Sequence, residues 1–157
     1  MSDPLFSITV GGAPVPKGRP RFRIVRPRGR PQFVSVYTDA ATAAYERTLA
    51  TAARYAMRGQ KPLSVALTVM VEAFIAIPAS WSGVKRAAAI AGDIPATSRP
   101  DSDNYAKAAL DALNEIAWSD DSLIVSLQVL KQYSANPRLR ITAWAWDDFP
   151  PKEPELL

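Results

Sequence analysis

Asp101-Ser102-Asp103, followed by Lys107 and answered by Asp120 and by Asp121 eighteen residues after Asp103, brackets up to four carboxylates and one ammonium around a single helix-like segment. The chain has no histidine and no cysteine. Any metal it holds must therefore rest on oxygen ligands, which favours Mg²⁺, or Mn²⁺, over zinc. In a basic protein such an ion points to phosphate chemistry. A Mg²⁺ on Asp101, Asp103 and Asp121 would keep several waters, bind a scissile phosphate and activate a water toward it. Lys107, one turn after Asp103, is spaced to meet the phosphate or the leaving oxygen. Each part also has a plain structural reading. Asp-x-Asp before a helix serves as a cap, Asp120-Asp121 as a turn, and Lys107 as a solvated helix position. Asp111 reads as structural, and Glu72 as a strand-edge charge.

The second chemical feature is a basic arm. Lys17, Arg19, Arg21, Arg23, Arg26, Arg28 and Arg30 place seven positive charges in fourteen residues; removing these seven from the net charge of +4 leaves the rest of the chain at −3. Basicity is thus local, and arginine alternating with proline and Phe22 suits a phosphate backbone.

Placing these groups requires a scaffold. Leu5 to Val10 alternates as a strand. Residues 13–31 are rich in Pro, Gly and Arg and read as a long basic loop. Phe33–Tyr37 is a short β-like run, and Thr38-Asp39 offers capping oxygens for a helix from Ala40 to Arg58 that ends at Gly59. Ser64–Ile77 is apolar on both faces and predicts a central strand. Residues 80–92 read as a helical insertion. The acidic helix is expected from Asn104 to Ala117, with Tyr105, Ala108, Ala109, Ala112, Leu113 and Ile116 as its buried stripe. Leu123–Gln132 and Arg138–Trp146 read as two strands joined as a hairpin. For Asp121 to meet Asp101 and Asp103, the start of the first of these strands must approach the start of the helix. The expected fold is α+β, a single domain over residues 1–146 with one mixed β-sheet, the order β-α-β-α-β-β and helices packed on the sheet. A Pro-rich tail, 147–157, follows.

Composition narrows the class. An apolar content of 48% and a charged content of 22% are those of an ordinary globular protein. The absence of cysteine excludes a disulfide scaffold. There is no apolar run of membrane-spanning length and no basic-then-apolar leader, so a cytoplasmic protein without a membrane partner is expected.

Together these residues resemble the RusA family of Holliday-junction resolvases, including phage and prophage members. The resemblance runs through Pro14-Val15-Pro16-Lys17-Gly18-Arg19-Pro20-Arg21 and Tyr37-Thr38 to Tyr45-Glu46. It is strongest across Arg99-Pro100-Asp101-Ser102-Asp103-Asn104-Tyr105-Ala106-Lys107, Leu110-Asp111-Ala112-Leu113-Asn114 and Trp118-Ser119-Asp120-Asp121. It implies a homodimeric, Mg²⁺-dependent hydrolase, a crossover junction endodeoxyribonuclease that nicks four-way DNA junctions symmetrically in recombination and repair. It also implies Asp101, Asp103 and Asp121 as essential carboxylates and Lys107 as assisting cation. The spacing from Asp103 is one residue shorter than in a bacterial member, so Asp120 and Asp121 both stand as ligand candidates. Ile141–Trp146, with its alternating Trp144 and Trp146, is the expected subunit contact. Two other classes compete. One is a non-catalytic junction- or DNA-binding protein using the arm alone. The other is an Asp-x-Asp glycosyltransferase, which the lack of a Gly-rich phosphate loop disfavours.

Overall fold

The computed structural model describes residues 2–148; most of the expected tail, 147–157, lies outside the described residues. Alternation sets the first strand. In Phe6–Gly11 (β1), Phe6, Ile8 and Val10 turn inward while Ser7, Thr9 and Gly11 face out. The arm is only partly the expected loop, because Arg21–Val25 (β2) pairs antiparallel with Phe33–Tyr37 (β3) as a separate two-stranded ribbon. Proline and arginine density obscured the period-two alternation of Arg21, Phe22, Arg23 and Ile24, which a ribbon outside the main sheet accommodates.

Helix α1 spans Ala40–Met57, and its N-cap Asp39 accepts from the Ala41 amide at 3.3 Å. It stops at Arg58, which takes the left-handed conformation one residue before the expected Gly59. Strand β4, Leu67–Ala76, is central as its composition requires. Helix α2, Gly83–Ala91, forms within the predicted insertion between the Ser82 cap and left-handed Gly92. Its neighbour Trp81 stacks edge-on against Tyr133 at 5.2 Å, which ties the insertion to the sheet. Helix α3 runs Ser102–Leu113, starting and stopping earlier than its apolar stripe suggested. Ile116, Ala117 and Trp118 continue the apolar pattern in a turn. There the Leu63 amide donates to the Ala117 carbonyl and the Ser119 amide to the Leu63 carbonyl. Strands β5 (Ile124–Ser134) and β6 (Arg138–Ala145) complete the chain.

The main sheet has the order β1-β6-β4-β5, with β5 parallel to β4 and the other pairs antiparallel. One expectation falls here. β5 and β6 are not a hairpin, because β4 lies between them. A strand apolar on both faces gains most with a neighbour on each side, and residues 135–137 can span the roughly 10 Å across it. Of the expected subunit contact, Ile141 and Ala143 are fully buried inside the sheet, and only the Trp144–Trp146 end is half-exposed.

Helices α1 and α3 cover one sheet face. Leu49, Ala53 and Met57 from α1 and Tyr105, Ala109 and Leu113 from α3 join Val69, Val71, Ile141 and Ala143 in one core. Trp118, wholly buried, meets Phe6 edge-on at 6.2 Å and closes one end of it. On the opposite face, Glu72 is no edge charge. It sits on the central strand and receives a two-pronged bond from Arg140, with Nη2 to Oε1 at 2.7 Å. No helix among the described residues is long and apolar enough to cross a membrane.

Candidate active site

The segment entering α3 is held from the sheet. Lys131 of β5 donates to the carbonyls of Ser98 at 2.6 Å and Pro100 at 2.8 Å. The next residue, Asp101, is the helix N-cap in extended conformation, yet its carboxylate accepts no capping bond. The capping reading therefore does not consume this group, which stays beside the positive end of the helix. Asp103 sits in the first turn, not in an extended run with Asp101. Lys107 approaches its Oδ2 at 3.5 Å, both side chains being largely exposed.

A strap from the N-terminal segment lies over this region. The Lys17 amide donates to the Asn104 carbonyl at 2.8 Å, and the Gly18 amide to Thr42 Oγ1 at 3.2 Å. A side chain at Gly18 would itself meet Thr42 Oγ1 at 3.2 Å, so the close passage suits glycine. Arg19, Arg99, Pro100, Asp101 and Asn104 consequently line a cleft of about 500 Å³. Two guanidinium groups and one unbonded carboxylate in one cleft can receive a phosphodiester on its anionic oxygens while keeping an anionic ligand available.

The basic residues divide. Lys17 does not project as part of a free arm: its ammonium pairs with Glu46 and, at 2.9 Å, with Asp111. Burial alone would lower its pKa, but hydrogen bonds to these carboxylates outweigh that and hold it above the ordinary lysine value. Arg21 approaches Asp39 at 3.4 Å, Arg23 lies 5.8 Å from the Tyr37 ring centre, and Arg26 bonds Gln32. Arg28 and Arg30 stand exposed at the ribbon's turn.

The second carboxylate pair lies elsewhere. Asp120 accepts from the Ser122 amide at 2.7 Å, which holds its carboxyl below the ordinary aspartate value. Asp121 opens a 3₁₀ turn, Asp121–Leu123, and accepts from the indole of buried Trp118 at 2.7 Å. Ile124 pairs with Leu67 at the start of β5, whereas Lys131, beside the Asp101 segment, pairs with Ala73. Seven strand residues separate those levels by about 20 Å. The start of β5 thus lies near the end of α3, not its beginning, and one chain does not bring Asp121 to Asp101 and Asp103. Among the described residues no three acidic side chains group closely enough to hold a metal. The cause is Trp118, whose burial anchors the turn at the sheet end opposite the cleft.

Sequence reasoning left Lys131, Asn104 and Arg99 out of the site. Arg99 and Asn104 fall inside the motif that runs from Arg99 to Lys107. Lys131 offered only the signal of the one charged side chain in its strand.

The sequence profile described as endodeoxyribonuclease RusA matches residues 11–143, which includes every element from the end of β1 to β6. An uncharacterised protein, YqaN of Bacillus subtilis strain 168, is 33% identical over 138 residues, covering 87% of this chain and 93% of its own. The free carboxylate, the arginine-lined cleft and the basic ribbon accord with nuclease chemistry, and the chain belongs to the RusA endodeoxyribonuclease family.

Proposed function

We propose that this endonuclease cuts four-way DNA junctions by paired symmetric nicks, with Mg²⁺ or Mn²⁺, as a homodimer whose two sites each draw residues from both copies. The observation that carries the reading is the Asp101 carboxylate, unused by its helix and set in a cleft with Arg19 and Arg99.

The donor set fits a hard divalent cation in part. Asp101 and Asp103 offer oxygen ligands, and one chain supplies no third carboxylate beside them. The fold suggests where the third comes from. β5 is an eleven-residue sheet edge with Val125, Leu127 and Leu130 exposed, an edge that invites pairing. An antiparallel two-fold pairing of β5 with its copy, centred near Gln128, would carry the second copy's Asp121 toward the Lys131 end, where Asp101 is held. Asp101 and Asp103 of one copy with Asp121 of the other would then hold the ion. Asp120, already committed to its turn, would stay outside.

When bound, the ion would supply positive charge to the scissile phosphate and to the attacking water. This chain's residues would do the rest. Arg19 and Arg99 would grip the flanking phosphate, and Lys107 would steady the departing oxygen. The arginines of the ribbon would hold the neighbouring backbone. Two such sites on a two-fold dimer match the two symmetric cuts a junction requires.

The test is cleavage of an end-labelled synthetic four-way junction beside linear duplex and single strand, with and without Mg²⁺. Paired nicks on the junction alone, requiring the ion, are expected. Binding without cleavage under any divalent cation would replace this reading with a non-catalytic DNA-binding protein.

A further inference from the structure

The register of the β2–β3 ribbon sorts its side chains. Phe22 opposes Val36 and Ile24 opposes Val34, so these four share one face, while Arg21, Arg23, Ser35 and Tyr37 take the other. The four apolar side chains are 59–67% exposed, which is unusual for a cluster of this kind, and no described element covers them. The segment that carries this face is cationic: residues 17–38 hold seven Lys and Arg and no carboxylate, and of these Lys17 and Arg21 meet carboxylates from outside it. An occupant of this face must therefore offer apolar, flat surface and negative charge together. A second ribbon could cover the apolar side chains but carries no carboxylate to answer the arginines at the turn. Intact duplex presents phosphates but hides its base faces within the stack. Bases unstacked between phosphates meet both demands.

We propose that the apolar face led by Phe22 seats the unstacked bases at the branch point of a DNA junction, with the ribbon arginines on the adjoining phosphates. This deepens the junction reading above and rests on it. The ribbon would then act as a wedge that recognises an opened junction, separate from the cleft that cuts. A two-stranded ribbon standing outside the sheet is well shaped to enter such an opening.

The experiment measures binding without divalent cations, so it does not depend on cleavage. A junction carrying 2-aminopurine at the branch point is titrated with wild type, Phe22→Ala and Val36→Ser, beside linear duplex of equal length. Wild type should change the 2-aminopurine fluorescence. Phe22→Ala should abolish that change and weaken junction binding about ten-fold, the order expected for one lost base–aromatic stack, while altering duplex binding less than two-fold. Val36→Ser should act in the same direction more weakly. Both positions lie outside the core, so unaltered circular dichroism is expected. Equal losses on junction and duplex, or a wild-type complex with no change in fluorescence, would overturn the wedge while leaving the nuclease reading standing. So would Phe22→Ala changing self-association or binding to anionic vesicles in place of junction preference. A wild type with no junction preference at all would remove the junction reading and the wedge together.

Discussion

The ammonium of Lys131 donates to the carbonyl of Pro100 at 2.8 Å, so a strand of the sheet fixes the residue immediately before Asp101. Its second bond, to Ser98, makes the contact a two-point hold on the entry to α3. A carboxylate carried on a loop becomes as well placed as the sheet itself. Lys131→Met should lower cleavage by about 10- to 100-fold, because small misplacements of reacting groups cost that much. Junction affinity should fall by less than about three-fold, and a raised Mg²⁺ requirement should accompany the rate loss. Partial recovery in Lys131→Arg, which keeps the donors, would separate positioning from a general loss of fold. Metal titrations of the cleavage rate measure both.

Asp103→Asn should abolish cleavage and leave junction binding unchanged or tighter, since one negative charge no longer opposes the phosphates. Asp120→Asn should keep near-normal cleavage, because that carboxylate serves the turn through Ser122. Gel-shift and nicking assays on the same preparations would test the contrast.

Lys17 divides structure from DNA contact. Lys17→Met leaves Glu46 and Asp111, both its partners, without their shared cation. A loss of about 1–2 kcal/mol is expected, between the values for exposed and buried pairs. The salt dependence of DNA binding should hardly move. Arg28→Ala should do the reverse, with unchanged stability and a salt slope shallower by about one. Denaturant melts and binding at several salt concentrations would read both effects.

Tyr45 contributes to the decline of stability in alkali. Burial pushes its hydroxyl up to about 12, with Tyr105 adding to the shift, and the hydroxyl has no partner among the described residues. An unfolded tyrosine ionises near pH 10. Tyr45 therefore supports the fold fully below pH 10, and that contribution drains away as pH rises from about 10 to about 12. Tyr45→Phe should keep or raise the melting temperature at pH 7 and flatten the alkaline decline. Thermal melts from pH 7 to 11.5 would show it.

Much of the scaffold could be read from periodicity. β4 announced its central place by being apolar on both faces, and α3 by its stripe from Tyr105 to Leu113. Asp39 marked a helix start through local chemistry. What escaped was non-local. Nothing near residues 135–137 reveals that β4 separates β5 from β6. The burial of Trp118 sent Asp121 to the far end of the sheet, and only the register shows it. Lys17 looked like one more arm cation because Glu46 and Asp111 lie 29 and 94 residues away. Of the candidate site, the carboxylates and Lys107 stand out as a motif, whereas Lys131 does not. Its role is to bond backbone carbonyls, which leaves no pattern in side-chain types.

The central claim is that each site joins Asp101 and Asp103 of one copy to Asp121 of another. It is tested most directly by mixing two inactive variants, Asp103→Asn and Asp121→Asn, after subunit exchange. Each alone should be a folded dimer without cleavage. Their mixed dimer would contain one site with all three carboxylates intact, so the mixture should regain about one quarter of the wild-type sites and give single nicks without paired cuts. A mixture that exchanges subunits yet stays inactive would contradict a site shared between copies.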